Sequence, residues 1–432
     1  MWKALKNAFR IPEVRSRIFF TLIAFAIFRL GTYIPVPGLD LEAWSSYFTG
    51  LSEGAAGGFI GFFDIFTGGA LKNFSLFAMS VTPYINASIM LTLLSSVIPS
   101  LKEMQKEGEE GKKKYAKLTR NLTIGLAAVQ AVLLTTALSG NEAVIAIPSR
   151  PLFILLSAVS MIGGTMFLLW LGEQITDRGI GQGVSMLIFA GIVARYPQYL
   201  VQISVSLTPI HWIILGVIFV AVIVGTIFVQ MGERKIEIQY ARRVSGRKVY
   251  GGVSSHVPIK VNQGGVIPII FASAIMTLPQ MIASALPDGG AKTTFESLFS
   301  FTSPLYLLIY GALVFFFTYF YSTMVFDVKD MSNNIKNYGG YIPGIRPGYP
   351  TEQYIRKILS RVTFLGAVFL VVIALMPALV QAGTGVSGVM LGGTSTLIAV
   401  GVSLDVLQQI ESHLLVRNYE GFMKKGRLKG RR

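Results

Sequence analysis

Residues 59–99 read FIGFFDIFTGGALKNFSLFAMSVTPYINASIMLTLLSSVIP, and the two halves of this stretch follow different rules. From about Asn73 onward it is long and apolar enough to span a bilayer. Phe59–Phe66 is a short apolar run with Asp64 inside it, closed by Thr67-Gly68-Gly69. A span needs roughly 20 apolar residues, and shorter runs are buried or re-entrant. Irregular backbone at membrane depth survives only against protein or a water-filled cavity. The pattern therefore predicts a short helix dipping in from one side, a glycine hinge, and a full span. Two readings stand for the short helix: a surface element of an outer loop, or a stopper in a cavity.

Working outward, the 432 residues are 52% hydrophobic and only 14% charged, with 45 glycines, which places the chain among all-α polytopic membrane proteins. The absence of cysteine excludes disulfides, thiolate nucleophiles and cysteine metal sites. The first residues do not read as a cleavable signal. Trp2, Leu5 and Phe9 oppose Lys3, Lys6 and Arg10, the pattern of an amphipathic helix lying on an anionic membrane face. Hydropathy predicts ten spans, at about 18–34, 73–98, 122–138, 152–171, 184–203, 212–231, 266–285, 305–326, 362–380 and 394–410. The N-terminus, the loops after spans 2, 4, 6 and 8, and the C-terminus hold all of the 38 Lys and Arg except Arg29, Lys72, Arg150, Arg195 and Lys292. By the positive-inside rule both termini are cytoplasmic. The same skew accounts for the net charge of +16, so binding to nucleic acid is not needed to explain it. Arg29, within span 1, reads as a side chain pairing with a neighbouring helix or reaching outward.

Along the chain, VTPYINASI puts Val81, Ile85 and Ile89 one turn apart on one helix face. Proline, asparagine and serine beside that stripe suit a helix facing protein or water, not lipid. After span 6, ERKIEIQYARRVSGRKVYGG alternates around Ile236, Ile238 and Tyr240 and breaks at Ser245-Gly246, predicting a cytoplasmic β-hairpin. Arg242, Arg243, Arg247 and Lys248 cluster at its tip, a docking post for an acidic surface. After span 8, Pro343, Gly344, Pro347 and Gly348 stiffen the flanks of Arg346 and present one guanidinium for bidentate contact.

No catalytic or nucleotide motif stands up. Gly108-Glu109-Glu110-Gly111-Lys112 is two residues short of a phosphate-binding loop and follows no strand; Gly179, Gly181 and Gly183 read as a tight helix–helix turn. Gly385-Val386-Ser387-Gly388 resembles the motif of rhomboid intramembrane proteases. Its serine needs a base, and His211 and His413 are wrongly placed for that role. The three histidines, with His256, lie in separate segments and form no metal cluster. An ion-coupled secondary transporter is the competing class, but spans 2–9 carry no central carboxylate and only Asp405 of span 10 approaches that role.

Seven stretches together resemble the SecY family, the pore subunit of the bacterial protein translocase. They are YIPVPGLD, VTPYINASI, KEGEEGKKKYAKLTR, GEQITDRGIGQGVS, IPGIRPG, GGTSTLIAV and QQIESHLL, spread from span 1 to the tail. The resemblance implies a protein-conducting channel of the cytoplasmic membrane, not an enzyme and without cofactors. Its ten helices would form two pseudo-symmetric halves, 18–206 and 207–411, around a central pore, with residues 1–17 and 412–432 as cytoplasmic extensions. It further implies a plug helix at 61–72, with Phe62, Phe63, Asp64, Ile65, Phe66, Thr67, Gly68, Gly69 and Ala70 at its centre. A constriction ring maps onto Val81, Ile85, Ile188 (or its neighbour Leu187), Ile270 and Ile398. A lateral gate for signal peptides and membrane segments includes Ile89, Thr92, Gln130, Ala274 and Leu278. Loops 232–264 and 327–357 would dock the SecA ATPase or the ribosome through Arg242, Arg243, Arg247, Lys248 and Arg346. SecE and SecG are the implied partner subunits, unfolded preproteins the cargo, and membrane lipids the surroundings.

Overall fold

The structure is a computed structural model that describes residues 11–53, 64, 67–140, 142–204, 209–240, 243–245, 248–250, 254–285, 290–300, 303–384 and 394–425. The amphipathic N-terminal segment and Gly385–Gly388 lie outside the described residues. The chain divides into two compact units, residues 1–205 with 398–432, and residues 206–397. Each of the ten apolar runs coincides at least in part with a helix. Among the described residues, five helices are long and apolar enough to cross a membrane by length and composition alone, or six if one bent pair counts as a single span.

The first unit contains α1 (Pro12–Gly31), α2 (Leu41–Glu53), α3 (Thr82–Val97), α4 (Pro99–Lys106), α5 (Glu109–Leu138), α6 (Arg150–Arg178) and α7 (Gly183–Ser204). The C-terminal helix, Thr394–Lys425, joins them from Ile398 onward, whereas the family resemblance groups span 10 with spans 6–9. The Gly181 amide donates to the Gln409 side chain at 2.5 Å, and Val14, Ile180 and Ile410 share one buried cluster. A larger core gathers Trp44, Phe48, Phe74, Met79, Ala127, Ala131 and Met161.

One expectation is corrected here. Span 2 does not begin as helix at Asn73. Residues 67–81 are turns, and α3 starts at Thr82 with Pro83 in its first turn. Phe74 and Ser80 have φ of 40° and 51°, values no α-helix accepts. The other end is set by Pro99. Its ring excludes helical backbone at Ile98, which is extended at φ −98°, ψ 108°, and the helix pair bends by 105° there.

The second unit contains α8 (Pro209–Met231), strands β1 (Glu233–Tyr240), β2 (Arg243–Ser245), β3 (Lys248–Tyr250) and β4 (Ser254–Lys260), then α9 (Ile267–Ala285), α10 (Gly290–Leu298), α11 (Pro304–Val325), α12 (Val328–Asn337), β5 (Gly340–Tyr341) and α13 (Tyr349–Thr384). α8 leaves most of its apolar surface open; Phe228 is 81% exposed and Ile213 69%. Such a face belongs in lipid, where exposing leucine-like surface carries no penalty. α11 and α13 are joined by a buried Ser322–Thr363 hydroxyl pair at 2.9 Å and by Tyr319 donating to the Ser360 carbonyl at 3.2 Å.

The alternation around Ile236 and Ile238 does produce a hairpin. β1 pairs antiparallel with β4 from Glu233↔Lys260 to Gln239↔Ser254. Both isoleucines point into a core with Ile259, Val328, Ile335, Ile342, Ile355 and Leu359. That core draws in the loop after span 8, because β5 adds to the free edge of β1 at Gln239↔Tyr341 and Tyr240↔Gly340. The two large loops thus form one small α/β module. Ile259 is fully buried in it. Ile259→Ala is expected to cost about 2–5 kcal/mol, the usual loss for a buried Ile→Ala change. Limited proteolysis of the detergent-purified protein should then cut faster between residues 240 and 254, and an unchanged rate would contradict a packed module.

Candidate functional site

The turn-built stretch 67–81 is held by protein on several sides. The Val36 amide donates to the Phe74 carbonyl and the Leu76 amide to the Ile34 carbonyl, both at 3.0 Å. Asn73 Nδ2 donates to the Thr32 carbonyl at 3.0 Å, and Trp44 Nε1 to the Lys72 carbonyl at 2.8 Å. Trp44 and Phe74 rings lie 5.0 Å apart. These bonds satisfy groups that a helix would have satisfied internally, as apolar surroundings demand.

Just before it sits Asp64, 2% exposed. Its carboxylate forms an ion pair with the Arg195 guanidinium and accepts the Lys72 amide at 2.9 Å. Its carbonyl accepts from the Gly69 amide at 2.9 Å and the Thr67 hydroxyl at 3.0 Å. Arg29 donates to the Gly68 carbonyl at 2.8 Å and to the Tyr33 hydroxyl at 2.6 Å. Gly68 (φ +68°) and Gly69 (φ +87°) supply left-handed backbone, and a Cβ on Gly68 would fall 2.9 Å from the Gly191 Cα of α7. A cavity of about 570 Å³ opens beside them, lined by Arg29, Tyr33, Lys72, Asn73, Arg195 and Gln198 among others. Sequence reading missed Arg195 as a site residue. The signal was available: three of the five basic residues outside the cytoplasmic set line this one cavity. Phe62, Phe63, Ile65 and Phe66 lie outside the described residues.

Of the aliphatic ring positions, Val81 is the N-cap residue of α3 and 2% exposed, and Ile85 follows one turn later, half-buried. Ile188 on α7 is 5% exposed, with Leu187 beside it at 1%, and Ile398 near the start of the C-terminal helix is 2% exposed. These belong to the first unit; Ile270, half-buried on α9, belongs to the second. Ile89 and Thr92 are half-buried on α3, and the Thr92 hydroxyl donates to the Ser88 carbonyl at 2.7 Å, so it is satisfied within its own helix. Gln130 is half-buried on α5. Ala274 and Leu278 fall on α9, and their side chains are outside the described residues.

On the α/β module, Arg346 is exposed at the centre of a turn whose flanking Gly344 and Gly348 have φ of +78° and +102°. Thr351 Oγ1 donates to the Arg346 carbonyl at 2.9 Å and fixes that turn. A groove of about 600 Å³ runs past Lys336, Tyr341, Ile345, Arg346 and Pro347. Arg243 and Lys248 sit on the paired strands β2 and β3, whereas Arg242 and Arg247 lie outside the described residues.

Among the described residues no group of His, Asp or Glu is placed to hold a metal ion; the arrangement offers apolar helix faces, an irregular segment anchored by charge, and a basic module. The fold is that of the protein-conducting channels. A SecY channel characterised for a plug domain that stabilises its closed state and maintains a membrane seal superposes with a TM-score of 0.61 at 18% identity, over 94% of this chain and 96% of that one. Sec61 from a canine ribosome–channel complex gives 0.59 at 17% identity, over 94% and 96%. The SecY family model matches residues 75–407, and the SecY protein translocase subunit of Thermotoga maritima is 58% identical over the full length of both chains. The chain belongs to the SecY family and is a protein-translocation channel, which decides against the ion-coupled transporter.

Proposed function

We propose that this chain conducts unfolded secretory polypeptides across the cytoplasmic membrane and releases membrane segments sideways into lipid, with both termini on the cytoplasmic side. The observation that carries this is the low exposure of Val81 at the mouth of α3, Ile188 on α7 and Ile398 on the C-terminal helix, all in one unit, with Ile85 one turn along from Val81. With Ile270 they form an aliphatic waist. Such a ring offers no charge and no hydrogen bond, so passage does not depend on the sequence in transit. Closed, it excludes water and ions by dewetting. The seal has energetic weight, because each elementary charge crossing the membrane releases about 2.3 kcal/mol per 100 mV. Segment 61–72 closes the funnel outside the ring as a plug, in line with the plug domain described for the related channel.

Ile89, Thr92 and Gln130 on spans 2 and 3 part from Ala274 and Leu278 on span 7 as the lateral gate, where signal peptides lodge. The chain performs no covalent chemistry; motion is supplied by partners, the SecA ATPase or the ribosome, and the association of Sec61 with a ribosome supports the second. These dock on the α/β module through Arg346 and the Arg242, Arg243, Arg247 and Lys248 cluster. SecE and SecG brace the channel.

Replacing Ile85 and Ile270 together with serine is expected to raise resting ion conductance of the complex in planar bilayers, and unchanged conductance would contradict the waist. Arg346→Glu is expected to abolish SecA-driven export into inverted membrane vesicles while the protein remains inserted and intact; normal export would remove Arg346 from the docking surface.

A further inference from the structure

We infer that Asp64 and Arg195, with Arg29, form an electrostatic catch that holds the plug segment against the first unit; the inference rests on the plug reading of residues 61–72. An aspartate within FFDIF is costly to bury unless its charge is matched. Here it is matched only in the seated arrangement, where Arg195 pairs with the carboxylate and the Lys72 amide donates to it. Half-withdrawn, Asp64 would leave Arg195 and keep its desolvation. The segment is therefore either seated or released into water, a two-position device and not a soft one.

The geometry around it is built for close seating. Arg195 comes from α7 and Arg29 from α1, so two helices of one unit hold Asp64 and Gly68. Arg29 holds backbone, through the Gly68 carbonyl, and its guanidinium lies 4.8 Å from the Tyr33 ring, which keeps it in place. A Cβ at Gly69 would come within 3.2 Å of the Arg195 guanidinium. The Thr67-Gly68-Gly69 sequence thus lets the chain lie directly on α7 and on the arginine that pairs with Asp64. The guanidinium groups spend N–H donors on the chain itself: Arg195 also donates to Gln198 Oε1 at 2.6 Å and Arg29 to the Tyr33 hydroxyl. That favours a catch over a site for a free anion. Membrane proteins thin out Lys and Arg on their outer side. Of the five basic residues outside the cytoplasmic set, Arg195 and Arg29 serve this contact.

Resting ion conductance of the full complex in planar bilayers tests the catch. Asp64→Asn and Arg195→Gln are each expected to raise it on the order of tenfold, equivalent to about 1.4 kcal/mol in the closed–open balance. Arg195→Lys, which keeps the charge, is expected to stay close to the wild type. The double variant Asp64→Asn/Arg195→Gln should leak no more than the worse single variant, because the two changes remove one interaction. Multiplying effects in the double variant, or a leak from Arg195→Lys equal to that of Arg195→Gln, would overturn the pairing. Deleting residues 62–70 separates the two levels. A deletion that leaks while Asp64→Asn and Arg195→Gln stay tight refutes the catch and keeps the plug. A deletion that stays as tight as the wild type refutes the plug itself.

Discussion

A backbone that leaves the helix inside a membrane protein must find partners for its amides elsewhere, because hydrocarbon supplies none. Residues 67–81 live under that constraint. Their polar groups are taken up by Val36, Ile34, Thr32 and Trp44, and the residue just ahead of them, Asp64, accepts from Lys72 and pairs with Arg195. α3 can begin at Thr82, with Val81 at its mouth, only because those fifteen residues are held without being helical. The placement of the aliphatic stripe Val81, Ile85 and Ile89 follows from where that helix starts.

The same division of labour recurs in the second unit. Its helices meet lipid and one another through apolar surface, as the open face of α8 shows. Its α/β module is instead a small water-soluble fold with its own core around Ile236, Ile238 and Ile259. Packing the two loops together gives Arg346 a rigid base. A guanidinium on a flexible loop would lose entropy on every contact, whereas one on a fixed turn has already done so.

Much of this was legible in the residues. Apolar runs of the right length mark the helices, and strict alternation marks β1, because bilayer thickness and strand pleat impose those periods directly. The seven stretches shared with the SecY family carried the function. What stayed hidden depends on contacts distant in sequence. Nothing near Gly340-Tyr341 announces that two residues will complete a sheet begun at Glu233. Asn73–Val81 is apolar enough to read as helix, and only the backbone at Phe74 and Ser80 shows otherwise. Arg29 read as a residue satisfied by a neighbour. Its neighbour turned out to be the Gly68 carbonyl, 39 positions away. Arg195 gave no local motif at all; its meaning lay in how few basic residues stand outside the cytoplasmic set.

The proposed waist requires that Ile85 and Ile270 face the same passing polypeptide. Since the chain has no cysteine, single cysteines placed at 85, at 270 and at the lipid-facing Phe228 can be read without background. With a cysteine-bearing preprotein stalled in transit, disulfides are expected to form from 85 and from 270 and not from 228. Crosslinks from 228 alone, or from neither 85 nor 270, would contradict a shared aliphatic waist.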